Sequence, residues 1–161
     1  MRRFDYTFLV RAPLSAVAEL HRDTHALQWL TPPPVRVQIH YVEPLAEGST
    51  SDFTLWFGFL PIRWTARHSS VDAEHGFTDT QVHGPMQHWV HTHTFSEAGE
   101  GCSRVTEHIE YEHFSGAKGL LSRLLFTPIG LRLTFWYRRF ATCRRLEKRN
   151  ADAIQRGEKH V

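Results

Sequence analysis

Cysteine is scarce: Cys102 and Cys143 are the two in 161 residues. They are far apart and match neither Cys-x-x-Cys nor any Cys/His zinc spacing, so no disulfide framework and no structural zinc site is expected. That makes a reducing cytoplasm the default compartment. Long apolar runs are also missing. No window approaches the roughly 18 consecutive apolar residues of a membrane span, and the stretch after Met1 ends at Arg11, too short and too charged for a secretion signal. Charge of one sign is lacking as well. The chain has 19 Lys and Arg against 17 Asp and Glu, a formal net charge of +2, small for a nucleic-acid binder, and no nucleic-acid partner is expected. There is no Gly-x-Ser-x-Gly elbow and no Cys/His pair to suggest nucleophilic catalysis. Internal repeats and low-complexity segments are absent too.

What is present is a core and an excess of histidine. The hydrophobic share is 41%, with 11 Phe, 5 Trp and 4 Tyr, too much for a disordered chain, and the length predicts one domain over 1–161. Histidine numbers 12, and eight of these fall between His68 and His113.

Phe4, Tyr6, Phe8 and Val10 alternate with polar residues, which predicts a half-buried strand. Pro13 can open a helix, with Leu14, Val17, Ala18 and His21 at helical spacing. A second short helix through Ala26, Leu27 and Leu30 is stopped by Pro32-Pro33-Pro34. Val35 to Tyr41 alternates again, and further strands are expected at Asp52–Phe57 and at 62–73, 77–83, 88–96 and 103–113, separated by turn signals such as His75-Gly76 and Gly84-Pro85. Short connections imply an antiparallel meander. After Gly119 the period becomes helical. Thr127 is the expected cap and Pro128 the first residue of a long helix, with Ile129, Leu133, Trp136, Phe140 and Cys143 as a stripe to bury. The fold class is therefore α+β: about seven antiparallel strands in a curved sheet round a terminal helix, enclosing a cavity that the helix does not fill.

This order resembles the helix-grip fold of the SRPBCC (START-like, Bet v 1-like) superfamily, which includes lipid-transfer domains and polyketide cyclases. Val10-Arg11-Ala12-Pro13-Leu14-Ser15-Ala16-Val17 is similar to the family's strand-to-helix entry. Three further segments resemble a stand-alone bacterial subgroup, also found fused to sugar-epimerase-like proteins: Trp64-x-Ala66-x-His68, Gly76-Phe77-x-Asp79-x-Gln81-x-x-Gly84-Pro85 and Trp89-x-His91-x-His93-x-Phe95. Phe135-x-Tyr137-Arg138 matches the same subgroup, whereas Met86 stands where its pattern has Phe. The resemblance implies a small-molecule ligand in an internal cavity and calls for no cofactor.

Residues at i and i+2 of a strand share a face. Trp89, His91, His93 and Phe95 are expected inside, as are Phe77, Asp79, Gln81 and His83 on one neighbouring strand and Val105, Glu107, Ile109 and Tyr111 on the other. Symmetric turns would set His93 between Asp79 and Glu107, and His91 beside Gln81. A tight turn at His75-Gly76 would add Trp64, Ala66 and His68 to the same face, whereas His21, His25, His40, His75 and His160 read as surface residues.

Three readings of the cluster stay open. It is a buried hydrogen-bond network that also reads the polar end of a ligand, a metal site built from His91, His93 and Glu107, or an acid–base site with His91 or His93 as its catalytic group. The functional expectation is a carrier or sensor for a small hydrophobic molecule (lipid, isoprenoid, quinone or polyketide-like). Phe8, Phe77, Trp89, Phe95, Ile109, Tyr111, Trp136 and Phe140 would supply apolar contact, and Asp79, Gln81, His91, His93 and Glu107 would orient the polar end. A polyketide cyclase or dehydratase using the same cavity groups is the alternative.

The last helix carries a further signal. Lys118, Arg123, Arg132, Arg138, Arg139, Arg144, Arg145, Lys148 and Arg149 face Glu147 alone. This suits a solvated face, or peripheral contact with an anionic membrane. Within its motif, Arg138 is expected to reach the sheet or the cavity mouth.

Overall fold

The computed structural model of the chain describes residues 1–23 and 25–155; His160, expected on the surface, lies outside them. Strand β1 (Arg2–Val10) leads into helices α1 (Leu14–Arg22) and α2 (Ala26–Leu30). Six strands follow: β2 (Arg36–Val42), β3 (Thr50–Phe57), β4 (Leu60–Asp72), β5 (Gly76–His83), β6 (Met86–Glu97) and β7 (Ser103–His113). A 3-10 turn (Gly116–Gly119), helix α3 (Leu120–Leu125) and helix α4 (Pro128–Gln155) complete the order. The seven strands form one curved antiparallel sheet in the order β1-β7-β6-β5-β4-β3-β2. Local chemistry explains the boundaries. The Pro13 carbonyl accepts the first backbone bond of α1, from Val17, and the Thr127 hydroxyl caps α4 by accepting from the Gly130 N–H at 2.9 Å.

The alternation read in the sequence holds on the inner face of β6 and β7, whereas in β5 His83, expected inside, is exposed. Burial in β7 follows a strict period of two, with Val105, Glu107, Ile109 and Tyr111 all inside. Along β6 the inward row reads Trp89, His91, His93, Phe95, so two polar residues lie between two aromatic ones. Trp89 joins an apolar cluster with Trp64, Met86, Ile109, Phe126 and Phe135. Phe95 joins another, with Phe8, Val10, Val17, Val105 and Leu146. A polar belt thus separates two apolar cores.

Between β5 and β6 the register differs by two residues from the symmetric expectation. Asp79 faces His91 and Phe77 faces His93, with regular pairing ending at Thr80 and Val90. The cause lies at the turn, where the Gln81 amide bonds both the N–H and the C=O of Met86 and a bulge follows between Met86 and His88. At the other end of β5, Gly76 has φ +132°, and a Cβ there would meet the His93 carbonyl oxygen at 1.9 Å. No other residue type fits so close a backbone approach.

Helix α4 carries the largest correction. Ile129, Leu133, Trp136 and Phe140 point away from the sheet and are 73%, 62%, 57% and 53% exposed. The buried series is Leu131, Phe135, Thr142 and Leu146, with Arg138 on the same side. Phe135 packs on Phe4 and Tyr6 of β1 and meets His91 edge-on. Trp136 and Phe140 therefore do not line the cavity: the expected stripe was more apolar, but the inward face is the one bearing the groups that meet the polar belt. Phe135→Ala should accordingly destabilise the protein by about 3 kcal/mol in urea unfolding, against less than about 0.5 kcal/mol for Trp136→Ala.

Candidate functional site

The inner face of the sheet, α2 and the inward side of α4 enclose a cavity of about 230 Å³. One end is apolar, walled by Leu30, Phe53, Trp64, Phe126, Leu131 and Phe135, and the other is formed by His21, His68, Asp79, His91, His93 and Arg138.

The polar end is a continuous chain of contacts across four adjacent strands. His91 Nε2 donates to Glu107 Oε2 at 2.7 Å. The same oxygen lies 2.8 Å from His93 Nδ1, an ion contact off the line of the ring N–H. His93 Nε2 donates to Asp79 Oδ2 at 3.2 Å, and the other Asp79 oxygen is 3.1 Å from His68 Nε2. The Ser49 hydroxyl, 2.9 Å from His68 Nδ1, holds that ring from behind. The two-residue change of register left this chain intact, because His93 reaches Asp79 diagonally across β5 and β6.

Burial and charge then set the protonation states. Burial alone would lower His93, but Glu107 and Asp79 overcome it and lift the imidazolium to about 9. For His91, burial and the neighbouring charge of His93 outweigh Glu107 and lower it to about 4. Burial would raise both carboxyls, yet the histidines hold Asp79 below its ordinary value and Glu107 well below. His93 is thus a cation between two anions, and His91 a neutral ring. Because its Nε2 carries the proton given to Glu107, Nδ1 of His91 is the unprotonated nitrogen.

Of the expected site residues, Phe77, Asp79, Trp89, His91 and His93 line the cavity. Glu107 lies behind the two histidines and positions them. Phe8 and Phe95 are in one apolar core, and Ile109 and Tyr111 are in the other, behind the cavity wall. Gln81 is engaged in the turn and does not line the cavity. His68 is inside, as its spacing implied, and pairs directly with Asp79. His25, His40 and His75 are exposed.

His21, expected on the surface, is instead at the cavity. Its Nδ1 faces the Val17 carbonyl at 2.8 Å, and its ring packs on Phe95 and His93. Burial pulls it down to about 4. Its place at i+4 from Val17 on the buried side of α1 was the available signal. Arg138 reaches the cavity as its motif implied. Its guanidinium lies over the Phe135 ring at 4.9 Å, and its buried Nε has no hydrogen-bond partner among the described residues.

The metal reading is also altered. Glu107 occupies the position of an outer carboxylate, and the group able to close round a cation is Asp79, His91 and His93, whose ligand atoms lie within 4.8 Å of one another. The proton on His93 already neutralises this position, so a cation would have to displace it.

No protein-family profile and no curated protein matches the chain by sequence. Solved structures do match in shape. The aromatase/cyclase ZhuI from Streptomyces sp. R1128 is 17% identical, with TM-score 0.71 over 92% of this chain and 94% of that one. Major latex-like protein 151 from Panax ginseng is 15% identical, with TM-score 0.67 over 90% and 97%. The chain has the helix-grip, Bet v 1-like fold. A third structure of similar shape, protein CV1439 from Chromobacterium violaceum, has TM-score 0.73 at 12% identity, over 91% and 99% of the two chains. At these identities the likeness is one of fold, and the polar belt stands on its own geometry.

The charge state of the belt is measurable. His93 is stabilised in its protonated form, so its contribution to stability is complete below pH 6.5 and is lost as pH rises towards about 9. His91 and His21 act in the opposite sense, their contribution being present above pH 6.5 and lost as pH falls towards about 4. Imidazole NMR should show the His93 ring still protonated at pH 8 while His91 is already neutral at pH 6, and a neutral His93 at pH 7 would contradict the assignment.

Proposed function

We propose that the protein holds one compact, mainly apolar molecule in the helix-grip cavity, as a carrier or sensor, with an acceptor oxygen of that molecule at Arg138. The observation that carries this reading is the guanidinium itself. A buried donor without a partner is costly, and here Nε belongs to a side chain that lines a hollow whose other end is aromatic. A ligand carbonyl, phenolate or carboxylate satisfies it, while the aromatic end covers the ligand's apolar body at about 0.8 kcal/mol per CH₂. The cavity lies just below the common range of about 300–1,000 Å³ for ligand pockets. This favours a ring system or short chain over a complete lipid enclosed along its length. The unpaired Cys102 and Cys143 fit the cytoplasm as its compartment, and no described helix is long and apolar enough to cross a membrane.

A second reading, a cyclase or dehydratase, is favoured by His91 in particular. A neutral imidazole with a carboxylate on Nε2 is oriented as a general base through Nδ1, and ZhuI, of similar fold, is an aromatase/cyclase. In this reading Nδ1 takes a proton from carbon next to a ligand carbonyl, and Arg138 stabilises the oxyanion that forms.

Native mass spectrometry and solvent extraction of the purified protein should reveal a co-purifying small molecule. Arg138→Met should weaken its retention about tenfold or more. His91→Gln separates the readings, leaving retention nearly unchanged in a carrier and abolishing turnover in an enzyme. A protein that carries nothing and excludes apolar fluorescent probes from its interior would refute both.

A further inference from the structure

The outward face of α4 has the form of a helix that lies on a membrane. At 3.6 residues per turn, Ile129, Leu133, Trp136 and Phe140 fall within about 60° of one another, roughly 150° from the buried series that faces the sheet. All four are more than half exposed, and the Trp136 and Phe140 rings stack with centroids 6.5 Å apart. Leu120 and Leu124 of α3, just ahead of this stripe in the chain, are 65% and 74% exposed. Scattered surface apolar residues need no explanation, whereas a continuous row of large ones points to a partner.

Charge identifies that partner. Arg132 and Arg139 border the stripe on one side, and Arg144 and Lys148 border it on the other, all four exposed. Glu147 falls on the line of the stripe two turns beyond Phe140, and its carboxylate accepts from the Arg11 backbone N–H at 3.4 Å. It marks where the stripe ends. An apolar row with a tryptophan, edged by arginine and lysine, suits the interface of a bilayer carrying anionic headgroups. A second copy of this chain would bring its own arginines against the same edges.

We infer that the protein docks peripherally on anionic membranes through this face of α4, with Leu133, Trp136 and Phe140 entering the headgroup boundary. The inference does not depend on what the cavity holds. It places the cavity one helix diameter, about 10 Å, from the lipid. The narrow stripe makes the attachment shallow and reversible, and dependent on the basic edges.

The test is co-sedimentation of the full chain with vesicles of phosphatidylcholine, either alone or with about 30 mol% phosphatidylserine. Binding to the anionic vesicles is expected at least about tenfold tighter than to the neutral ones, and it should fall in high salt. Leu133→Ser with Trp136→Ser should abolish it while leaving urea unfolding nearly unchanged, since both residues are exposed. Arg132→Glu with Arg139→Glu should weaken it about tenfold or more. Failure to bind anionic vesicles, or equal binding by the Leu133/Trp136 variant, would overturn the inference. So would light scattering that shows a dimer lost in that variant, because the face would then belong to a second copy.

Discussion

Two carboxylates, one buried and one part-buried, flank a buried protonated imidazole in the middle of this sheet, and the interior is organised around keeping them paired. Glu107 and Asp79 approach His93 from opposite sides, so each charge is compensated by a neighbour on an adjacent strand. Removing His93 would leave two carboxylates without their shared cation in a poorly polarisable surrounding. The belt also explains why the space above it stays open. An apolar side chain pressed onto Arg138 would bury a donor without supplying an acceptor, and the two aromatic cores close on either side of the belt and leave the hollow between them.

Much of this was legible in the sequence because strand periodicity is a two-fold signal that survives errors of register. The inner rows of β6 and β7 follow from alternation alone, whereas in β5 it holds for Phe77 and Asp79 and fails at His83, which is exposed; a change of two residues in register kept Asp79 on the correct face. The partners in the ladder were not legible. They depend on the Gln81 amide bridging its turn to Met86, a local side-chain contact that spacing does not encode. His21 was missed because histidine was read as polar, although its helical position beside Val17 put it on the buried side of α1.

The terminal helix shows the limit of reading amphipathicity from composition. It has two apolar rows, and hydrophobicity selects the one with Trp136 and Phe140. The row that faces the sheet includes Thr142 and runs beside Arg138, because the surface it meets is itself partly polar. An asymmetric helix says that its faces differ, and the chemistry of the opposing surface decides which of them turns inward. One row faces the cavity and the other faces the solvent side.

Gly76 has a bearing on how the protein can vary. Its missing side chain lets β5 lie against the His93 carbonyl, and that approach sets the reach from Asp79, three residues along, to the imidazole. A methyl group at this one point would push the strands apart and unfasten the central ion contact without changing the identity of any cavity-lining residue. Inherited changes that silence the molecule are therefore to be sought at this small joint as well as among the residues that touch a guest.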